Sequence, residues 1–141
     1  MIIPDINLLV YAYNADAKFH PQAKIWLEET LTKGLPFGLP WAVAMGFIRI
    51  MTDNRILEKP MSPEEAVGHV ASWLECSGVS ILEPGHRHLE ILTQLFTQTR
   101  IGGRMTTDTH IAALAIEYHA EVHSNDRDFA RFEGLLWKNP L

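Results

Sequence analysis

The sequence predicts an α/β fold: a central, mainly parallel β-sheet flanked by helices on both faces. Short apolar runs of strand type alternate with helical stretches of about ten to fifteen residues, the pattern of strand–helix–strand units. The 141 residues suit one domain, residues 1–141, with no internal repeat, low-complexity segment or linker. At that length about two-thirds of the unfolded surface can be buried, enough for a real core.

Each element has a local reason. Residues 1–5 (MIIPD) read as a short buried strand with Pro4 near its end, and residues 6–14 (INLLVYAYN) as a helix stopping near Asn14. Residues 21–34 form an amphipathic helix opened by Pro21 and closed by Gly34 as C-cap. Residues 36–39 (PFGL) are a strand, followed by a strongly apolar helix with Pro40 at its start. Ser62, Pro63 and Glu65 make a capping box for the next helix, which is ended by Gly78. Residues 79–82 (VSIL) are a strand and residues 86–99 an amphipathic helix. Residues 108–119 form a helix whose middle is apolar all round, so it is predicted to be buried. Residues 121–124 (EVHS) are a strand, and residues 135–137 (LLW) a candidate last one.

Composition excludes several classes. Apolar content of 47% and charged content of 21% are ordinary for a globular protein. No apolar run reaches the ~18 residues that a membrane helix needs, and no basic-then-apolar leader opens the chain, so the expected location is cytoplasmic with no membrane partner. Cys76 is the only cysteine, which rules out an internal disulfide and suits a small buried residue near a helix end. A net charge of −5 argues against gripping nucleic acid by charge alone. It is compatible with carboxylates that hold cations, because bound ions reverse the local sign.

Functional groups in parallel sheets gather beyond the carboxyl ends of the strands. Asp5 ends the first strand, and Asp126 and Asp128 follow a late one within SNDRDF. Asp108 opens the buried helix. Taken singly, Asp5 and Asp108 read as helix caps, and Asp126 and Asp128 as turn residues. Together, carboxylates converging on one cleft repel unless protonated or bound to cations. An all-oxygen set suits Mg2+ or Mn2+ rather than zinc. His86 and His88 point to different faces of a helix, and His20, His110 and His119 have no partner spacing. No nucleophile elbow, P-loop or dinucleotide fingerprint is present. Gly102 and Gly103 read as a flexible turn.

These residues resemble PIN-domain ribonucleases, and among them the VapC-type toxins of toxin–antitoxin pairs, nearly end to end. PDINLLVYAYN looks like the family's opening strand and turn, with Asp5 as first acid and Asn7 two positions on. The stretch from TTDTHIAALA through SNDRDF resembles the C-terminal third, with Asp108, Asp126 and Asp128 on the later acidic positions. The resemblance implies a Mg2+-dependent endoribonuclease, with Mn2+ as substitute, that hydrolyses RNA to inhibit translation and growth. It implies one or two ions held by Asp5, Asp108, Asp126 and Asp128. It also implies a cognate VapB-type antitoxin and a homodimer. Asn7 and Ser124 are candidate hydrogen-bonding supports for the ligands, or else turn stabilisers. Arg49, Arg104 and Arg127 are candidates for phosphate contact, or else surface ion-pair partners. Where many family members place Glu in the third helix, this chain has Gly46. It reads either as close helix packing or as space left beside the metal. The alternative function is a degenerate PIN domain that binds RNA or a partner without cleaving. A phospho-acceptor domain fits less well, because only Asp5 follows the first strand.

Overall fold

A computed structural model describes all 141 residues. β1 (Ile2–Pro4) leads into α1 (Ile6–Tyr13) and α2 (His20–Thr32). β2 (Phe37–Pro40) leads into α3 (Trp41–Met51) and α4 (Pro63–Leu74), and β3 (Val79–Leu82) into α5 (His88–Thr99) and α6 (Thr106–Glu117). β4 (Glu121–His123) and β5 (Leu136–Lys138) complete one five-stranded sheet in the order β3-β2-β1-β4-β5. Every pairing is parallel, beyond the mainly parallel sheet the sequence predicts. All four residues of β2 are buried, so helices cover both faces there.

Strand ends are set by chemistry. Pro4 and Pro40 are the last residues of β1 and β2. Without an N–H, proline cannot extend a ladder in the sheet interior, so each closes its strand where a helix begins. Gly34 adopts φ +63° just beyond α2, the left-handed closure that glycine permits. Ser62 Oγ accepts from Glu65 N at 3.1 Å and starts α4, which is half of the predicted capping box; the Glu65 carboxylate faces His69 instead of returning to Ser62 N.

Several boundaries shift by up to a few residues from expectation, and three of the shifts bear on the fold. α4 stops at Leu74, before Gly78, and its last backbone bonds are closed locally by Glu75 N. α5 starts at His88 rather than His86, because Glu117 reaches across from α6 and its carboxylate accepts from Gly85 N and Arg87 N at 2.8 and 3.0 Å. α6 starts at Thr106, so Asp108 lies in its first turn and is not its cap.

The core contains Phe37, Phe47, Trp73 and Phe129, each no more than 1% exposed. Phe47 and Trp73 meet edge to face at 4.8 Å between centroids, and Trp73 Nε1 donates to Tyr13 Oη at 2.8 Å, which satisfies the one polar atom of the indole. α6 runs through this core with Ile111 to Ala115 all at 0% exposure, as its all-round apolar pattern predicts.

Two glycines should respond oppositely to alanine. A Cβ on Gly78 would overlap the Leu35 carbonyl oxygen and stand 2.7 Å from that of Gly34, both backbone atoms. Gly78→Ala is expected to cost about 1–3 kcal/mol. Gly68 lies exposed within α4 with nothing within 4 Å of an added Cβ. Gly68→Ala is expected to add about 1 kcal/mol. Denaturant melts of the two variants should move in opposite directions.

Candidate active site

The sheet order has one reversal. From β1 the chain builds outward to β2 and β3, then returns to place β4 on the other side of β1. Beyond the carboxyl ends of such a strand pair lies a crevice that helices do not close. Pro4 is in register with His123, and Asp5 N donates to the His123 carbonyl at 2.9 Å. That pairing sets Asp5 against Ser124 across the crevice.

Asp5 is 7% exposed and Ser124 0%. Ser124 Oγ donates to Asp5 Oδ2 at 2.6 Å, while Ile6 N donates to Asp5 Oδ1 at 2.7 Å. Asp5 therefore does cap α1, and it also faces the crevice. The same Ser124 Oγ accepts from Asp126 N at 2.9 Å and from Asn7 Nδ2 at 3.5 Å. Asp126 Oδ1 accepts from Asp128 N at 2.9 Å and opens the 3-10 turn Arg127–Arg131. Ser124 thus bonds Asp5 directly, and Asn7 reaches it only through Ser124. Asn7 Oδ1 is buried without a partner, an acceptor facing no donor.

The carboxylates feel one another. Asp108 is pushed up from 3.8 to about 7, first by burial, then by the charges of Asp5, Asp126 and Asp128, with Arg104 opposing. Asp5 is also raised, chiefly by burial, with Asp126 adding and the Ser124 and Ile6 bonds opposing. Asp128 is lowered, because Arg104 and then Arg131 hydrogen-bond its carboxylate. Its two oxygens each accept at 3.1 Å, from Arg104 Nη1 and Arg131 Nε.

Donor chemistry fits a hard divalent cation: three mutually repelling carboxylates and a buried amide oxygen without a partner. No three His, Cys, Asp or Glu side chains are grouped closely enough to ligate one ion as they stand. Asp5 has both oxygens in hydrogen bonds, and Asp128 has both on arginines.

Several polar residues come together that spacing does not reveal. Trp26 Nε1 donates to His123 Nδ1 at 3.0 Å, and His123 Nε2 meets Glu121 Oε1 at 2.8 Å, which puts the imidazole proton on Nε2. That chain braces β4 immediately before Ser124. His88 and His110 meet at 2.8 Å between Nε2 and Nδ1, from the consecutive helices α5 and α6. Arg131, by contrast, joins Asp128 as an i,i+3 pair, the signal being that spacing and its charge. Arg49 and Arg127 are exposed, and Cys76 is half-buried rather than buried.

Gly46 has a packing role. A Cβ there would overlap Ile6 Cδ1 and stand 2.9 Å from Ile6 Cγ1. The side chain next to Asp5 occupies the space, so α3 approaches α1 over a glycine.

Comparison with known proteins now bears on this geometry. Residues 2–135 match the model of the PIN domain. The chain is 42% identical over 141 residues to "Ribonuclease VapC33" of Mycobacterium tuberculosis, covering 100% of this chain and 99% of that protein. It is 35% identical over 140 residues to "Ribonuclease VapC37" of the same species, covering 99% and 97%. Among solved structures, VapBC2 from Rickettsia felis bound to a DNA fragment from its promoter superposes with a TM-score of 0.73 at 21% identity, covering 99% of this chain and 98% of that one. A toxin–antitoxin complex from Klebsiella pneumoniae superposes with 0.68 at 16% identity, covering 100% and 98%. At those identities the structural likeness speaks for the fold.

Two outcomes test the site as described. Folded Asp108 binds its proton more tightly than the unfolded chain does, so its contribution to stability is present below about 3.8 and lost as pH rises through about 7. In chelator, Asp108→Asn should therefore melt above the wild type at pH 8 and lose that advantage by pH 4. Equal melting at pH 8 would remove the electrostatic account. Gly46→Glu should destabilise the fold, and Ile6→Ala in the same chain should recover part of the loss. A single variant as stable as wild type would show that the space is open after all.

Proposed function

This chain belongs to the PIN-domain family, within its VapC-type ribonucleases, and from that membership we propose that it is a metal-dependent endoribonuclease, the toxin of a toxin–antitoxin pair. What supports the reading most is the electrostatics at the β1–β4 reversal: burial, and then the charges of Asp5, Asp126 and Asp128, raise Asp108 to about 7. Carboxylates so placed take up either protons or cations near neutral pH.

On this reading Asp5, Asp108 and Asp126 hold the divalent ion, Mg2+ or Mn2+, and Asn7 Oδ1 offers a neutral oxygen beside them. When bound, such an ion lowers the pKa of water and stabilises charge on the attacking and leaving oxygens of a phosphodiester. The protein's own part is to hold the acids. Ser124 Oγ fixes Asp5 Oδ2, and the Asp128 backbone N–H fixes Asp126 Oδ1. Asp108 gives up the proton it otherwise holds below about pH 7, so metal uptake is coupled to proton release.

Partners follow from the relatives, which include VapBC complexes. We assign this chain a VapB-type antitoxin, a homodimeric state and a cytoplasmic site of action, where RNA cleavage stops translation and growth. No helix is long and apolar enough to cross a membrane. Trp41 and Met45 lie one turn apart on α3 and are 48% and 50% exposed, an apolar strip of the kind that a second copy or an antitoxin would cover.

Antitoxin-free protein should cut total RNA into discrete products with Mg2+ or Mn2+, and chelator should abolish them. Asp5→Asn keeps the shape and removes the charge; it should lose cleavage and growth arrest while retaining the wild-type circular dichroism spectrum. RNA binding without products under any metal would mean the non-cleaving alternative. At pH 8, saturating Mn2+ should raise the melting temperature of the wild type and not of Asp126→Asn.

A further inference from the structure

Asp128 was expected among the metal ligands, yet its bonds assign it different work. Arg104 Nη1 donates to Oδ2 and Arg131 Nε to Oδ1, both at 3.1 Å. The Arg104 and Arg131 side chains are 74% and 54% exposed, and Asp128 is 23% exposed. Exposed ion pairs add little to stability, so the fold does not require this one.

What the triplet does is geometric. Two guanidinium groups on flexible stems repel and wander, and one carboxylate between them holds both in place. A guanidinium has five N–H donors and each spends one on Asp128, which leaves most of them facing solvent. Two adjacent planar forks suit the non-bridging oxygens of phosphodiesters.

The triplet also lies beside the acids. Asp128 N donates to Asp126 Oδ1 at 2.9 Å, and the Arg104 charge is felt at Asp108. Arg104 sits in the 3-10 turn Gly103–Met105, which feeds straight into α6. No side chain caps the N-terminus of α6, so that end adds partial positive charge to the same side of the crevice. In a chain of net charge −5, a polyanion needs such a local cationic strip to approach three carboxylates.

We infer that Arg104 and Arg131, bracketed by Asp128, grip the phosphate backbone of single-stranded RNA next to the acidic crevice, and that Asp128 is a positioning residue and not a metal ligand. The choice of RNA rests on the function proposed above; the grip itself rests on the side-chain geometry.

The test has three readouts on the full chain. First, anisotropy of a short labelled single-stranded RNA is followed in chelator across 50 to 200 mM salt. Arg104→Gln and Arg131→Gln should each weaken binding about tenfold. Each should also flatten the log–log salt slope by about 0.7. Second, Mn2+ affinity is measured from the paramagnetic signal of the free ion. Asp128→Asn should match wild type where Asp126→Asn does not. Third, cleavage kinetics are split into KM and kcat. Asp128→Asn should raise KM with kcat within about a factor of two, and Asp128→Glu should recover most of the loss. RNA binding by Asp128→Asn as tight as wild type overturns the bracket. A loss of Mn2+ affinity in Asp128→Asn equal to that in Asp126→Asn returns Asp128 to the ligands and overturns the proposal. Arginine-dependent RNA binding without any cleavage leaves the grip standing and removes the ribonuclease. Cleavage with KM unchanged in both arginine variants does the reverse.

Discussion

The hydroxyl of Ser124 joins more of this site than any other single group. It donates to Asp5 and accepts from Asp126 N and Asn7 Nδ2, so it ties the end of β1 to the turn after β4. It is itself fixed on the far side, where Ser124 N donates to the Lys138 carbonyl and Trp137 Nε1 donates to the Ser124 carbonyl, both at 3.1 Å. β5, at the sheet edge, thereby holds the carboxyl end of its neighbour. A buried hydroxyl with this many partners has one usable orientation, and the carboxylates inherit it.

The crevice stores unfavourable charge. Asp5 and Asp108 are both raised, which means that the folded state tolerates their ionisation poorly. Evolution keeps such sites when function needs them and stability elsewhere compensates. Here the compensation lies in a dense aromatic core and in the apolar α6 that carries Asp108 into place. Asp128 follows the opposite logic, lowered by two arginines although it is separated from Asp126 by one residue. Asp128 thus sits in an electrostatic setting opposed to that of Asp5 and Asp108.

Much of this was legible in the sequence, for reasons that are local. Capping at Ser62, the glycine after α2, the proline near the end of β1 and the all-round apolar α6 act over a few residues, and the folded chain obeys them. The meeting of Asp5 with Asp126 was legible too, because a parallel sheet puts strand ends on one side. What escaped is made by contacts across the fold. His88 with His110 and Trp26 with His123 have no spacing rule to announce them; Asp128 with Arg131 is an i,i+3 pair, legible only once that turn is known to be helical. Asp108 was misplaced as a cap because helix starts are fixed by the preceding turn, here Gly103–Met105. Gly46 was ambiguous until Ile6 was seen to lie against it.

The pairing of β1 with β4 also sets when the site comes into being. Asp5 and Ser124 are separated by 119 positions, so β1 emerges from the ribosome long before the neighbour it pairs with. Until then β1 has only β2 beside it, and Asp5 faces neither Ser124 nor Asp126. A nascent chain stalled or cleaved before β4 carries the first acid without the others and has no crevice. Long-range parallel pairing of this kind is slow, because the loop must close before its contacts can form. Synthesis of the first acid and assembly of the crevice are thus separated in time by topology alone, and in the interval β1 is open to a partner protein.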